Sequence, residues 1–374
     1  MKWIVQFFRF IVGGLFIFSG FIKAVDPLGT AYKMEEYFAV FGMDFMIPLS
    51  LAFAIFMIVL EVVLGVALLI GFMTKFTIIL LLLIIIFFTF LTGYTTVTGN
   101  VTDCGCFGDF LPLEPWQSFL KDIVLLIFIA VLYIGQKHIK PLLPSAASNP
   151  LMGIVFILST LYCFSNFYTD LPQFDFRPYA VGKNIPEQIP EYMPEDKRPV
   201  YEFIFIYENP ETGEKKEFDM ANLPGAPWEY VDRVDKLVSG EEGKIINFRT
   251  TDEFGNEVRE DLLFDENYSF MVVAWDLNKT RSRVFEEKIN PLAEKAQDAG
   301  YHFYALASNS RESIEEFRHE HQAAFPFYEG DPIFLKTIIR SNPGLLVLKN
   351  GTVKGKWHHR RIPDFEKIQQ EYLK

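Results

Sequence analysis

The chain has 374 residues, of which 50% are hydrophobic and 16% aromatic, and its formal net charge is −12. Apolar residues fill the part before about residue 170, and charge is concentrated after about residue 180, so the acidic half has no basic surface with which to neutralise nucleic-acid phosphates. Three cysteines are too few for a disulfide-stapled scaffold, and none are spaced as a zinc-type C-x-x-C pair, so no metal site is expected.

Five apolar segments approach or reach the about 20 residues that cross a bilayer: residues 4–24, 45–72, 76–97, 116–134 and 151–163. The last is short unless it extends to about residue 168. The first lacks a following small-x-small cleavage site and precedes further spans, so it reads as a retained helix, not a signal peptide. Lys2, Arg9, Lys75, Lys137, His138 and Lys140 fall on one side. Asp26, Glu35, Glu36, Asp44, Asp103, Asp109 and Glu114 fall on the other, diluted by Lys23 and Lys33. The positive-inside rule then puts the N-terminus in the cytoplasm and everything after the fifth span outside. In a bacterium this is an inner-membrane protein with a periplasmic C-terminal domain, and its first partner is the lipid bilayer.

Within span two, Glu61 should face the bundle interior, paired or protonated. It reads either as a proton relay or quinone contact, or as a structural hydrogen bond. Lys121, in the first turns of span four, reads as a snorkelling residue or one that tunes nearby thiols. Gly13, Gly14 and Gly20 should allow close helix packing.

Between spans three and four lies "VTDCGCFGDF", with Cys104 and Cys106 one glycine apart. A helix N-terminus following soon after favours the thiolate. Gly105 permits a tight turn, and a ring this small is readily reduced. Closing so short a loop removes little unfolded-state entropy, which favours exchange over stapling. A static disulfide or two idle thiols is the plainer alternative. Cys163 is either a third exchange partner or a buried packing residue.

The stretches "RFIVGGLFIFSGFIKAVDPLGTAYKMEEYF" and "LEVVLGVALLIGF" resemble the DoxX family, and "DCGCFGDF" with its following helix resembles the related MauE branch. The resemblance covers roughly residues 4–135. It implies a four-helix membrane bundle over residues 1–140; the fifth apolar segment adds a helix over 141–170. It also implies that Cys104 and Cys106 are a redox pair, with relatives linked to disulfide handling in periplasmic enzymes and to quinone-coupled sulfur oxidation.

Residues 171–199 carry repeated prolines and read as a stiff, extended linker. Residues 200–243 read as a β-hairpin around "NPETGE" and a helical insert. From residue 244 to 374 the order changes. "IINFRTTDEFGNEVREDLL" reads as strands around a turn at Gly255. "YSFMVVAWDL" and "YHFYALAS" are buried strands separated by an amphipathic helix. A capped helix, a hairpin turning at Asn350-Gly351 and a last helix follow. This is an α/β layer on a mixed sheet. Its order resembles the thioredoxin fold in the TlpA and peroxiredoxin-like branch. The resemblance makes Pro343 a candidate cis-proline, with Asn342 before it facing the site. Where that family places Trp-Cys-x-x-Cys, this chain has Trp275, Asp276, Leu277, Asn278 and Lys279. No thiolate chemistry is open to that site, so the domain reads as a degenerate thioredoxin that binds or positions. Asp276 and Lys279 read as a solvated loop rather than a new acid–base pair. His358 and His359, pointing to opposite faces of a strand, read as a surface tail and not as metal ligands.

The expectation is an inner-membrane thiol–disulfide exchanger. It would act on a periplasmic protein partner through Cys104 or Cys106 and pass electrons to quinone near Glu61. The alternative is a non-enzymatic membrane subunit whose soluble domain is an interaction module. Small-solute transport has little support, since no inverted repeat is visible.

Overall fold

The computed structural model describes the chain except residues 100, 102–104, 106 and 374. It divides into two compact units. The first comprises Met1–Arg177 with Ile339–Gly344 and Trp357–Ile362; the second comprises Pro178–Ile338, Leu345–Lys356 and Pro363–Lys374.

The first unit is built on helices α1 (Lys2–Val25), α2 (Pro27–Val40), α3 (Ser50–Ile70), α4 (Thr74–Thr98), α5 (Pro115–Ile134) and α6 (Ser145–Phe164). Five helical stretches are long and apolar enough to cross a membrane: Lys2–Val25, Asp44–Ile70, Thr74–Thr98, Pro115–Ile134 and Ser145–Thr169. The chain is therefore a multi-pass membrane protein. In lipid the backbone must satisfy its own hydrogen bonds, which only uninterrupted helices do at these lengths. The short sequence window for the fifth span lengthens at both ends, its last turn being a π-helix over Ser165–Thr169.

Helix α2 lies where the sequence reads as loop. Asp26 caps it by accepting from the Gly29 amide, and Pro27 supplies the first helical position. Ala31, Met34, Tyr37 and Phe38 are its buried face, at the spacing of one helical stripe.

Helices α1 and α3 cross at glycines. A Cβ on Gly65 would meet the Gly13 carbonyl oxygen at 2.8 Å, and one on Gly20 would meet the Val62 amide nitrogen at 3.1 Å. Gly14 faces open space, with nothing within 4 Å, so it takes no part in this close packing. Arg9 also has a part inside the bundle. It is buried, and it donates to the Leu68 and Leu69 carbonyls at 2.9 and 2.8 Å, satisfying the last turn of α3 from a neighbouring helix.

The proline-rich stretch is not a free spacer. In the second unit Ile185, Ile189 and Met193 are buried, and Asn184 bridges to Thr352. Prolines here start short 3-10 turns at Pro186 and Pro190, so apolar residues between them turn inward.

Strands β1 (Val200–Glu208), β2 (Lys215–Asp219) and β3 (Glu229–Ser239) form an antiparallel sheet in the order β2-β1-β3. The hairpin is present, but the expected helical insert is β3. Val231, Val234 and Val238 carry a helical spacing, yet they are β-branched and lie beside the open edge of β1, and pairing decides the outcome.

The larger sheet contains β4 (Thr250–Thr251), β5 (Tyr268–Ala274), β6 (His302–Ala307), β7 (Phe327–Gly330), β8 (Gly344–Lys349) and β9 (Thr352–His358). Their order is β4-β7-β6-β5-β8-β9, with β5–β6 and β6–β7 parallel and β4–β7 antiparallel. Helices α8 (Asn290–Asp298), α9 (Arg311–Glu320) and α10 (Pro332–Ile338) connect its strands, and α11 (Phe365–Tyr372) follows β9. The second expected strand near Gly255 is instead α7 (Arg259–Leu263). The Asp252 carboxylate accepts from the Phe254 and Asn256 amides and turns the chain into it. Every residue of β5 is buried, as expected of a central strand covered on both faces.

Candidate functional site

Ion pairs lie among the membrane helices of the first unit. Lys23, near the end of α1, places Nζ 2.6 Å from Glu61 Oε1 on α3, and Ser19 Oγ donates to Glu61 Oε2 at 2.9 Å. Lys23 and Glu61 are 7% and 1% exposed, too little for water to solvate either charge. The two side chains therefore face each other away from water. Lys23 Nζ also stands 4.7 Å from the centre of the Phe88 ring.

The second pair is Lys121 Nζ with Asp122 Oδ1, at 2.6 Å on α5; Thr92 Oγ1 of α4 donates to Asp122 Oδ2 at 3.1 Å. Lys121 is thus an ion-pair partner and not simply a snorkelling residue, and its Nζ lies 5.3 Å from the Phe107 ring centre. Asp122, fully buried, has no counterpart in the sequence reading. Its signal was an acid inside an apolar span, the same one that singled out Glu61.

Two cavities of about 30 Å³ each border these pairs. One is lined by Ser19, Lys23, Glu61, Phe107, Lys121 and Asp122. The other is lined by Lys23, Lys33, Tyr37, Glu61, Thr92 and Gly105, among others. Each has about the volume share of one water molecule, far less than a quinone ring needs. Gly105 has φ +64°, in the region that favours glycine. A Cβ there would stand 3.3 Å from Lys33 Cγ. The two cysteines on either side, Cys104 and Cys106, lie outside the described residues.

A third cavity, of about 70 Å³, is lined by Lys23, Asp26, Lys33, Gly105, Arg177 and Arg340, among others. Arg340 Nε donates to both Asp26 carboxylate oxygens, at 2.8 and 3.1 Å, and its Nη2 is 3.7 Å from Asp109 Oδ2. The guanidinium lies over Tyr32, 5.3 Å from the ring centre. Burial raises the Asp26 pKa, but Arg340 and Arg177 outweigh it and hold the carboxyl below its ordinary value. Burial pushes the Tyr32 hydroxyl up to about 12, outweighing the nearby Arg340 charge.

A depressed carboxyl contributes stability that is complete above the unfolded value and is lost as pH falls through the folded one. The Arg340–Asp26 pair should therefore hold from neutral pH down to the ordinary aspartate value of 3.8. Amide hydrogen exchange of residues 339–344, corrected for intrinsic rates, should rise only below that value. Arg340→Ala should raise it already at neutral pH, and equal protection in that variant would show that the pair does not hold the segment.

Cys163 is a free thiol of α6, buried against Ala24 and Ile58. Its side chain is closed off from solvent. The Asn342–Pro343 peptide is cis. His358 and His359 are not a surface tail. Both are buried, with ring centres 3.9 Å apart, and His359 Nδ1 lies 3.0 Å from Ser341 Oγ. Strand β9 ends at His358, so strand alternation does not extend to His359. In the second unit, Asp276 Oδ2 and Lys279 Nζ are 3.2 Å apart, and Lys279 is 72% exposed; this is a solvated pair, worth little energetically. Trp275 lies under two lysines, with Lys336 Nζ 4.9 Å and Lys279 Nζ 5.9 Å from its ring centre. Among the described residues, no group of three or more His, Cys, Asp or Glu side chains is arranged to hold a metal ion.

These features define a multi-pass membrane bundle with buried charge, joined to an α/β region. Residues 1–135 match the family described as methylamine utilisation protein MauE. Residues 201–240, which take in β2, β3 and all of β1 but Val200, match a family described only as a domain of unknown function. Among curated proteins, the chain is similar to Protein TlpB of Flavobacterium psychrophilum, 29% identical over 128 residues. That stretch is 33% of this chain and 35% of the relative, so the chain spans about a third of the length of the curated protein it matches.

Proposed function

We propose that this protein is a membrane thiol–disulfide exchanger working through Cys104 and Cys106 on the periplasmic side of a bacterial inner membrane. A thiolate of a partner protein attacks the Cys104–Cys106 disulfide. That S–S bond breaks, a mixed disulfide forms, and one cysteine leaves as thiolate. The partner's second thiol then resolves the mixed disulfide. The partner ends oxidised by two electrons and the cysteine pair reduced by two. A lipid-soluble quinone is the acceptor class that would reoxidise the pair. The 30 Å³ cavities mean that such a quinone would dock at the bundle surface or need the helices to part.

The observation that carries this reading is the place of Gly105. The residue between the two cysteines borders one of the cavities of the buried Lys23–Glu61 pair and lies against Lys33. Nearby ammonium groups favour the thiolate, the reactive form of cysteine. The MauE similarity of residues 1–135, a branch associated with disulfide handling, supports it. The α/β region reads as a thioredoxin-like domain that has lost its cysteines, on the strength of its mixed-sheet order and crossing helices. It would dock the partner.

Acid trapping and mass-tag alkylation of Cys104 and Cys106 in native membranes test the proposal. The pair should be oxidised in aerobic cells and reduced in quinone-depleted cells. A state indifferent to quinone and to external thiols alike would end the exchange reading. A second reading, a non-enzymatic membrane subunit, is favoured by the solvated Asp276–Lys279 pair at the position of the lost cysteines. Cys104→Ser/Cys106→Ser separates the two, because a scaffold keeps its partner complex and cellular role, whereas an exchanger folds but loses that role.

A further inference from the structure

Every residue of β1, β2 and β3 is exposed or half-buried. A sheet this small needs an apolar face covered, or more strands, to be stable. Strand β3 has 11 residues and lies at one end of the order β2-β1-β3, so a row of its backbone N–H and C=O groups faces outward. Such an edge is a template for another strand. Two bulges bound its middle. Ile206 lies opposite Asp232 and Tyr207 opposite Tyr230, which leaves Val231 over; Tyr201 lies opposite Leu237 and Val200 opposite Ser239, which leaves Val238 over. Between them, residues 232–237 keep a regular register.

We infer that β3 pairs with β3 of a second copy of this chain, antiparallel, with Val234 facing Val234 across the two-fold axis. Residues opposite each other in an antiparallel pair share one side of the sheet. In this register Arg233 stands opposite Asp235 of the other copy, and Asp232 stands opposite Lys236. Beyond the charged centre, Val231 meets Leu237. The order Asp-Arg-Val-Asp-Lys is the cause, because each charge is mirrored by its opposite about Val234. Moving the axis to Asp232, Arg233, Asp235 or Lys236 sets two like charges opposite each other at the centre, which is destabilising.

Charges on an edge strand ordinarily block pairing; here they match themselves in one central register. Within one copy, Arg233 Nε and Nη2 donate to the Asp235 carboxylate at 2.6 and 2.9 Å. Those side chains are 48% and 39% exposed, so the contact is worth little by itself, and a second copy adds a counter-charge to each. The joined sheets carry Phe203 and Phe205 on one common side, since these lie opposite Asp235 and Arg233. The other edge is different. An axis at any residue of β2 sets like charges opposite, as when Glu217 meets Asp219 about Phe218. A two-fold contact through β3 therefore closes at two copies. Pairing of this kind needs no cysteine chemistry.

Sedimentation of the full chain in detergent micelles, at stepped protein concentrations, tests the pairing. Two copies per particle are expected. Asp232→Lys should weaken the dimer on the order of tenfold, since two ammonium groups then face each other at two places. Lys236→Asp should do the same, and Asp232→Lys/Lys236→Asp should restore the dimer. Circular dichroism on each variant checks that these edge changes keep the fold. Cross-linking in native membranes is the second readout. In a Cys104→Ser/Cys106→Ser background, copies carrying Val234→Cys should join on oxidation, and copies carrying Glu217→Cys, on the β2 edge, should not. One copy per particle, a dimer indifferent to the charge swaps, or equal cross-linking at positions 217 and 234 overturns the pairing. Cross-linking of position 234 to a different protein overturns it as well and gives the edge to that partner.

Discussion

Lys23→Met is expected to destabilise the bundle by about 3–5 kcal/mol, because it leaves the Glu61 carboxylate buried without its counter-charge. The pair is short, at 2.6 Å, and both side chains are almost fully enclosed. Among the described residues Ser19 remains to donate to the carboxylate, and one hydroxyl replaces little of what an ammonium supplies. The double variant Lys23→Met/Glu61→Leu should recover most of the loss, since two apolar side chains incur no desolvation penalty. Reversible unfolding in bicelles, for the two single variants and the double, gives the coupling directly. If the double variant loses as much as the sum of the singles, the two residues are not acting as a pair.

Gly65→Val should cost about 3 kcal/mol or prevent folding, through overpacking where the α1 and α3 backbones touch. The added Cβ would stand 2.8 Å from the Gly13 carbonyl oxygen and 3.0 Å from the Ile17 amide nitrogen. These are backbone atoms, so relief requires the two helices to move apart. Lys23 and Glu61 sit on those same helices, so their contact would open as well. Gly14→Ala is the matched control: nothing lies within 4 Å of its added carbon, and stability should not fall. Thermal unfolding in the same lipid for both variants checks this. Equal losses would mean that glycine content, and not the crossing, sets the stability.

Several features were legible along the chain. The five spans are visible because lipid admits only long, uninterrupted apolar helices, and that is a property of length and composition. Strands β5 and β6 are visible as short, continuous apolar runs. The burial of Glu61 is visible because a carboxylate within such a run can go nowhere else. Other features were not legible. Helix α2 had a buried stripe at Ala31, Met34, Tyr37 and Phe38, hidden among polar residues that read as a loop. Strand β3 carried helical spacing and was decided by the edge of β1. His358 and His359 look like a polar tail until the chain leaves β9 and folds them in against Ser341.

What the sequence alone determined is a membrane half with ionisable residues at depth, a cysteine pair in the loop before α5, and an α/β half without cysteines. Only the tertiary structure decided that Glu61 meets Lys23, 38 residues away. It also decided that Arg340 meets Asp26, 314 residues away, and that Gly105 borders a cavity of the buried pair. The physical reason is one of range. Hydrophobic length and turn chemistry act over a few residues and can be read locally. An ion pair depends on how two helices are rotated and how closely they cross, which is set by glycines such as Gly13 and Gly65 packing backbone against backbone.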